Sequence, residues 1–474
     1  MRGSGSRATT RAAGALAIAA IVVAACGSGG GATPSSSPNS TPLAPASAQP
    51  YQSFALDDFT VIKGRAHDLS PAQDQGAAAA AELNDFGFDL LRHLDSNGNV
   101  CASPTSIALA LAMVEPGAKG QTAAEMASVM HSFGSADQAS ELLALINSLR
   151  SKTAYVDADG MPLEPNATPD PARPDPIVEL NVSNQAFLQQ GMAFEQKYLD
   201  SLSSSFDSGI GTLDFKTDPE AARLAINKWA GEQTKGRIPS ILQPGDVTEA
   251  TRIALANAIY LKAAWANQFD VALTKSRNFT TASRSVVSVP TMAAERQMDY
   301  SSGTGYRAVE LPLSGQTMSM VIIVPDNMAD FVGGLSQAKL SALLTAESTR
   351  DVKLSLPRFS VDTRFDLKNA LVDMGMPTVF SGKADLSGMA ASGPLNPQGL
   401  KIDQVIHQAN IDVVEEGTTA SAVTIAIGAT GGGGGDETPP PPVQFNVDKP
   451  FLYLIHDNDS GAVLFLGRVD DPSK

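Results

Sequence analysis

The run TRIALANAIYL, residues 251–261, constrains the fold more than any other part of this chain. Read with the two-residue period of a β-strand, it puts Ile253, Leu255, Asn257, Ile259 and Leu261 on one face and Ala254, Ala256, Ala258 and Tyr260 on the other. Both faces are apolar. Such a strand has to be covered on both sides, so it belongs at the centre of a sheet between two packed layers. Asn257 is then a buried amide that requires hydrogen-bonding partners.

Helical patterns concentrate in the first half. Leu83, Phe86, Leu90, Leu91 and Leu94 recur at helical spacing after Gly76. In SPTSIALALAMV (103–114), Ser103 is suited to cap a helix and Pro104 to open its first turn, and the apolar run that follows predicts a buried helix. TAAE (122–125) reads as a capping box, and Asp218–Pro219 opens a helix carrying Ile226 and Trp229 and ending near Gly236. Strands dominate later: SMVIIVP (319–325), VKLSLPRF (352–359), FLYLIHD (451–457) and AVLFLGRV (462–469), the last two joined by the turn NDSG. Helices early and strands late favour an α+β class. The 474 residues, 43% of them hydrophobic, suffice for a large core, and no internal repeat is visible. The proline-rich, acidic stretch 155–176 reads as a surface insertion.

The N-terminus reads as a targeting segment. Arg2, Arg7 and Arg11 precede an apolar run, 12–25, that is short for a bilayer span and ends in VVAAC with Cys26. A small-residue cleavage site followed by cysteine resembles a bacterial lipobox. That resemblance implies a signal peptide over 1–25, lipidation of Cys26, and a Gly/Ser/Pro tether and transitional segment over 26–75 ahead of a folded domain over 76–474. The plainer reading is an ordinary signal peptide with a chance cysteine. The expected location is the outer face of a cell membrane or the extracellular space, with membrane contact only through the lipid. The second cysteine, Cys101, has no intrachain partner if Cys26 carries lipid, and reads as a small buried apolar residue.

Enzyme motifs are missing from the sequence. None of the five histidines sits in HExxH or beside a CxxC, and there is no G-x-S-x-G elbow, P-loop or dinucleotide fingerprint. GGGGG at 431–435 lacks the lysine and helix of a phosphate cradle and reads as a linker. A scattered serine-hydrolase triad would leave no motif, but nothing favours one. Neither metal nor cofactor is expected, and a net charge of −16 argues against nucleic acid.

Six segments in fixed order resemble the serpin family: NVCASPTSIALALAMVEPGAKGQTAAEM (99–126), TRIALANAIYLKAAWANQFD (251–270), VELPLSGQTMSMVIIVP (309–325), LPRFSVDTRFDLKNALVDMGM (356–376), ADLSGM (384–389) and DKPFLYLIHDNDSGAVLFLGRV (448–469). The resemblance spans about 76–472. It implies one large domain with three sheets, eight or nine helices and an exposed C-terminal reactive loop. It also implies a non-enzymatic protein, monomeric, that inhibits a serine protease by suicide: the loop is cleaved, the protease is held covalently as an acyl-enzyme, and the loop inserts into the central sheet. Serpin insertion is itself a standard instance of strand addition. Ser103, Ser106, Asn257 and His407 match the family's hydrogen-bonded shutter, and Trp265 the tryptophan where the loop first enters. Without the resemblance, His407 and Trp265 would be read as core residues.

The loop occupies 415–445. Its hinge, EEGTTASAVT, resembles the inhibitory pattern EEG-T-x-A-A-A-x-T through Glu415, Glu416, Gly417, Thr418, Thr419, Ala420, Ser421 and Ala422; Ser421 is a conservative departure and Val423 a bulkier one. Thr418, Ala420, Ala422, Thr424, Ala426 and Gly428 share one face and are all small, so they fit between existing strands. No charge lies between Glu416 and Asp436, so insertion buries no unpaired ion. About ten inserted residues, at roughly 1 kcal/mol per net hydrogen bond, match a domain's stability in scale. Family spacing puts the scissile bond at Gly431–Gly432, and the lengthened Gly/Pro half widens the candidates to Ile427, Gly428, Ala429, Thr430, Gly431 and Gly432. No Arg or Lys lies between Lys401 and Lys449, and no aromatic, Leu or Met between 415 and 442, so the expected target is elastase-like or subtilisin-like. The alternatives are a non-inhibitory serpin acting as a binding or carrier protein, and a lipid-anchored adhesion protein.

Overall fold

The structure, a computed structural model, describes residues 52–474 except 57, 67–70, 72, 73, 75, 95–97, 133–137, 154, 156–177, 397, 398 and 419–440. Cys26, the insertion beyond Tyr155 and the loop from Thr419 to Gly432 therefore lie outside the described residues.

With elements numbered in chain order, the first sheet runs β1 (Gln52–Ala55), β2 (Thr60–Lys63), β5 (Ile210–Leu213), β4 (Val178–Gln189), β6 (Ile253–Ala264), β14 (Gly417–Thr418), β13 (Gln404–Val414) and β12 (Phe359–Asp366). The run TRIALANAIYL supplies most of β6, the fourth strand in from the β12 edge, which is buried along its length except at Lys262. Its odd-numbered Ile253, Leu255, Ile259 and Leu261 join the main core. Its even-numbered Ala254, Ala256 and Ala258 join a second core with Phe187 and Trp229. Helix α2 (Pro104–Ala112) packs on β6 and β4, and α6 (Pro219–Gln233) packs on β6. All nine residues of α2 are buried, and Ser103 caps it by accepting from Ser106 N at 3.3 Å. Asp218 caps α6 through Ala221 N at 3.0 Å.

The second sheet runs β15 (Val443–Asn446), β11 (Ser348–Pro357), β8 (Val286–Gly303), β9 (Tyr306–Pro312), β10 (Met318–Pro325), β16 (Phe451–Asp457), β17 (Val463–Val469) and β3 (Val100–Ala102), with β7 (Lys275–Thr280) pairing β8. The 18-residue β8 pairs β7 at one end and β9 at the other, and so joins the two expected smaller sheets into one pairing path. The other helices are α1 (Ala77–His93), α3 (Gly120–Val129), α4 (Gln138–Arg150), α5 (Gln196–Phe206), α7 (Met328–Gly333), α8 (Gln337–Thr345) and α9 (Lys368–Asp373).

Three local readings of the sequence change. TAAE is no capping box: α3 starts at Gly120 after Lys119, Thr122 Oγ1 accepts from Asp385 N at 2.9 Å, and Glu125 accepts from Thr378. Both side chains bind a distant segment in place of their own helix terminus. VKLSLPRF is two strands, β11 ending at Pro357 and β12 beginning at Phe359 in the other sheet. Arg358 stands at that crossing. The transitional segment supplies β1 and β2, which extend the first sheet beyond β5, and Phe59 stacks edge-on to Phe187 at 5.0 Å.

Candidate functional site: the hinge and the slot beneath it

β13 and β6 run parallel, and their pairing covers Gln404–Gln408 against Ala254–Ala258. Above that point the ladder between them stops. β13 turns back through Glu415 and Glu416, and Gly417 and Thr418 come down between the two strands, pairing antiparallel with Val414 and Val413 on one side and with Ala264 and Ala263 on the other. The head of the loop has therefore already entered the sheet. No ladder pair joins 259–262 to 409–412, all of them described residues.

Only glycine serves at 417. Its φ is +148°, and a Cβ there would lie 2.2 Å from Ala263 O. Thr418 follows it buried, its hydroxyl donating to Ala263 O at 3.2 Å.

Glu415 fixes the turn. The residue is 1% exposed, and its carboxylate accepts from Arg358 Nε at 2.9 Å, from Arg358 Nη2 at 2.7 Å and from the Thr274 hydroxyl. Burial alone would push this carboxyl up; the Arg358 and Thr274 hydrogen bonds outweigh it and hold the group below the usual carboxylate range. Trp265 clasps the same turn, its backbone N donating to Glu416 O at 2.9 Å and its indole to Val414 O at 2.8 Å.

At the lower end of the slot, Asn257 and His407 face each other across the β6–β13 ladder. His407 is fully buried. Its Nε2 accepts from Ser103 N at 3.0 Å, so its proton sits on Nδ1 and is donated to Asn257 Oδ1 at 2.6 Å. The Asn257 amide donates in turn to Ser106 Oγ and Asn184 Oδ1. Burial pulls the His407 pKa from 6.5 down to about 3. The geometry agrees: a second ring proton would point at the Ser103 N–H. The ring is neutral and structural.

The structure thus brings Ser103, Ser106, Asn257 and His407 into one network below the slot, and Glu415, Glu416, Gly417, Thr418 and Trp265 into a second cluster above it. Thr419 to Ala422 and the candidate scissile residues Ile427 to Gly432 lie outside the described residues. Sequence reasoning missed Asn184, Thr274 and Arg358. Asn184 sits in NVSNQAF, where polar residues occupy both faces and none stands out; Arg358 is 57 residues from its partner Glu415. Cys101 is fully buried, and burial pushes its thiol up to about 12, which leaves it inert at neutral pH. Among the described residues no group of three or more His, Cys, Asp or Glu could hold a metal ion.

A family model described as "Serpin (serine protease inhibitor)" matches residues 81–472. The leukocyte elastase inhibitor of Xenopus laevis is 34% identical over 400 residues, covering 82% of this chain and 97% of that protein. Among solved structures, uncleaved ovalbumin superposes with a TM-score of 0.67 at 26% identity, covering 83% of this chain and 99% of its own. The native state of the thermophilic serpin tengpin superposes with a TM-score of 0.71 at 24% identity, covering 86% and 97%.

Proposed function

Because the chain belongs to the serpin family of serine protease inhibitors, we propose that it traps its target as a suicide substrate, by insertion of the loop into the slot between β6 and β13. One observation carries this reading. Gly417 and Thr418 are paired between the two strands at the top, while the strands remain paired to each other at the bottom. Continuing the same register sets Ala420 opposite Leu261 and Ile411, and Ala422 opposite Ile259 and Ala409. Each of these sheet residues belongs to the main core or packs beside it. The small side chains of the hinge suit those positions.

The target we propose is elastase-like or subtilisin-like, cutting between Ile427 and Gly432. The loop offers no Arg or Lys and no aromatic, Leu or Met there, and a relative carries the name leukocyte elastase inhibitor. We also propose that the protein is an exported bacterial lipoprotein anchored through Cys26, on the strength of residues 1–48 of the sequence, and a monomer, as the family resemblance implies. Metabolic labelling with radioactive palmitate, lost in Cys26→Ser, tests the anchor.

Incubation with elastase, subtilisin and trypsin tests the function. An SDS-stable complex is expected with elastase or subtilisin, and the mass of the released fragment places the cut. A trypsin complex cut within the loop would refute the specificity. Cleavage without any stable complex would refute the trap and favour a carrier or adhesion role.

A further inference from the structure

A chain with a net charge of −16 offers few places that welcome an anionic partner. One lies between the two feet of the loop. The short 3-10 turn Val271–Leu273 turns two aliphatic side chains to solvent, with Val271 58% and Leu273 48% exposed. β7 follows at once and exposes Lys275 and Arg277. Neither cation has an ion pair among the described residues. The nearby acids are committed: Asp270 caps the turn through Ala272 N at 2.8 Å, and Glu295 pairs with Lys353 at 3.2 Å.

Basic residues on an edge strand discourage strand-to-strand aggregation, and that alone could explain Lys275 and Arg277. It does not explain the aliphatic pair placed directly before them, which would invite association. Apolar surface rimmed by charge marks an interaction site.

The position names the partner. Phe269 N donates to Glu415 O at 3.0 Å and the Thr274 hydroxyl binds the Glu415 carboxylate, so the turn is fastened to the first foot of the loop. Leu273, Lys275 and Arg277 line a groove of about 280 Å³ whose far wall is Gln444 and Asn446 of β15, the strand that follows the loop. The patch thus touches both ends of the loop, Glu415 before it and β15 after it, the two places nearest to any enzyme that engages the residues between them.

We propose that the patch is a docking surface for the target protease, and that it selects an enzyme with acidic and apolar residues beside its active-site cleft. The proposal rests on the inhibitory reading above. Electrostatic steering of this kind acts on the association rate and fades with salt.

The test measures association rates for the wild type and for Lys275→Glu/Arg277→Glu. Two subtilisin-type proteases serve as probes, one of net negative and one of net positive charge, at low and high ionic strength. At low salt the double variant is expected to trap the negative enzyme at least tenfold more slowly and the positive enzyme no more slowly. In about 1 M salt the variant and wild-type rates should converge. Val271→Ser/Leu273→Ser should slow trapping of the negative enzyme regardless of salt. Melting temperatures of both variants check that the fold is intact. Equal rates for wild type and charge-reversed protein against the negative enzyme would overturn the docking surface alone. Failure of the wild type to form an SDS-stable complex with either enzyme would overturn the inhibitory reading, and the docking surface with it.

Discussion

Asn257 and His407 are ladder partners on neighbouring strands and are also joined side chain to side chain at 2.6 Å. Both links cross the line along which the sheet must part to admit the loop. The network that makes this core specific is therefore also the bolt that keeps it shut. In the register of Gly417 and Thr418, the residue that arrives between the two is Thr424. Its hydroxyl can replace partners that the separation removes, which lowers the cost of leaving buried polar groups unpaired.

Protonation should work against this bolt. The His407 pKa is 6.5 in the unfolded chain and about 3 in the folded one. Between these values the unfolded state binds a proton that the folded state does not, so stability is full above about pH 6.5 and falls as the pH drops, by up to ~1.4 kcal/mol per unit. Urea midpoints between pH 7.5 and 4.5 should decline more steeply in the wild type than in His407→Gln. Parallel profiles would remove His407 from this role.

A charge on the inserting face should convert the inhibitor into a substrate. Ala420 falls opposite Leu261 and Ile411, which are 8% and 5% exposed. Ala420→Arg would have to bury an unpaired guanidinium at a cost of several kcal/mol. The loop should still be cut, but the SDS-stable complex should largely vanish. Undiminished trapping would mean that the face assignment is wrong.

The hinge should loosen when Arg358 is removed. Arg358→Ala leaves the Glu415 carboxylate buried with only Thr274 as a side-chain donor. Hydrogen bonds to charged groups contribute about 1.5–3 kcal/mol, and the partial exposure of Arg358 favours the lower end. Amide exchange across 415–418 should accelerate by roughly tenfold, with the β6–β13 ladder below less affected. Unchanged exchange would show that Trp265, Phe269 and Thr274 hold the turn without Arg358.

Cutting the loop should stabilise the protein. Some ten new ladder positions at about 1 kcal/mol each would raise the melting temperature by roughly 10 °C in a domain of this size. Nicking with a protease that is not trapped, followed by calorimetry, checks this. An unchanged melting temperature would remove insertion as the source of the trap.

Much of this architecture was legible because its periodicity is strong. β6 could be placed at the centre of a covered sheet because both its faces are apolar, and α2 could be buried because no polar face interrupts it. Within the hinge, Glu415, Glu416, Gly417 and Thr418 were legible through the family pattern, and the residues from Thr419 on lie outside the described ones. Arg358, Thr274 and Asn184 were not, since each acts through a contact between segments distant in sequence and none differs locally from an ordinary strand or loop residue. Thr122 and Glu125 misled for the same reason: their spacing suits a helix cap, and only the tertiary structure shows them holding Asp385 and Thr378.

The length of β6 acts as a ruler. With Gly417 against Ala264, each further loop residue uses one residue of β6, and Gly428 comes to rest against Ile253, where the strand begins. Ten steps from Thr418 at about 3.4 Å give a stroke of roughly 34 Å. Residues between Gly428 and the cut then form a leash outside the sheet. A cut after Gly431 leaves three residues, a leash of about 10 Å, and a captive enzyme attached to it would be pulled hard against the base of the molecule. Glycines added to this segment would lengthen the leash without changing the stroke, so the distance from Gly428 to the cut, more than the chemistry of the hinge, sets how tightly the captive is held.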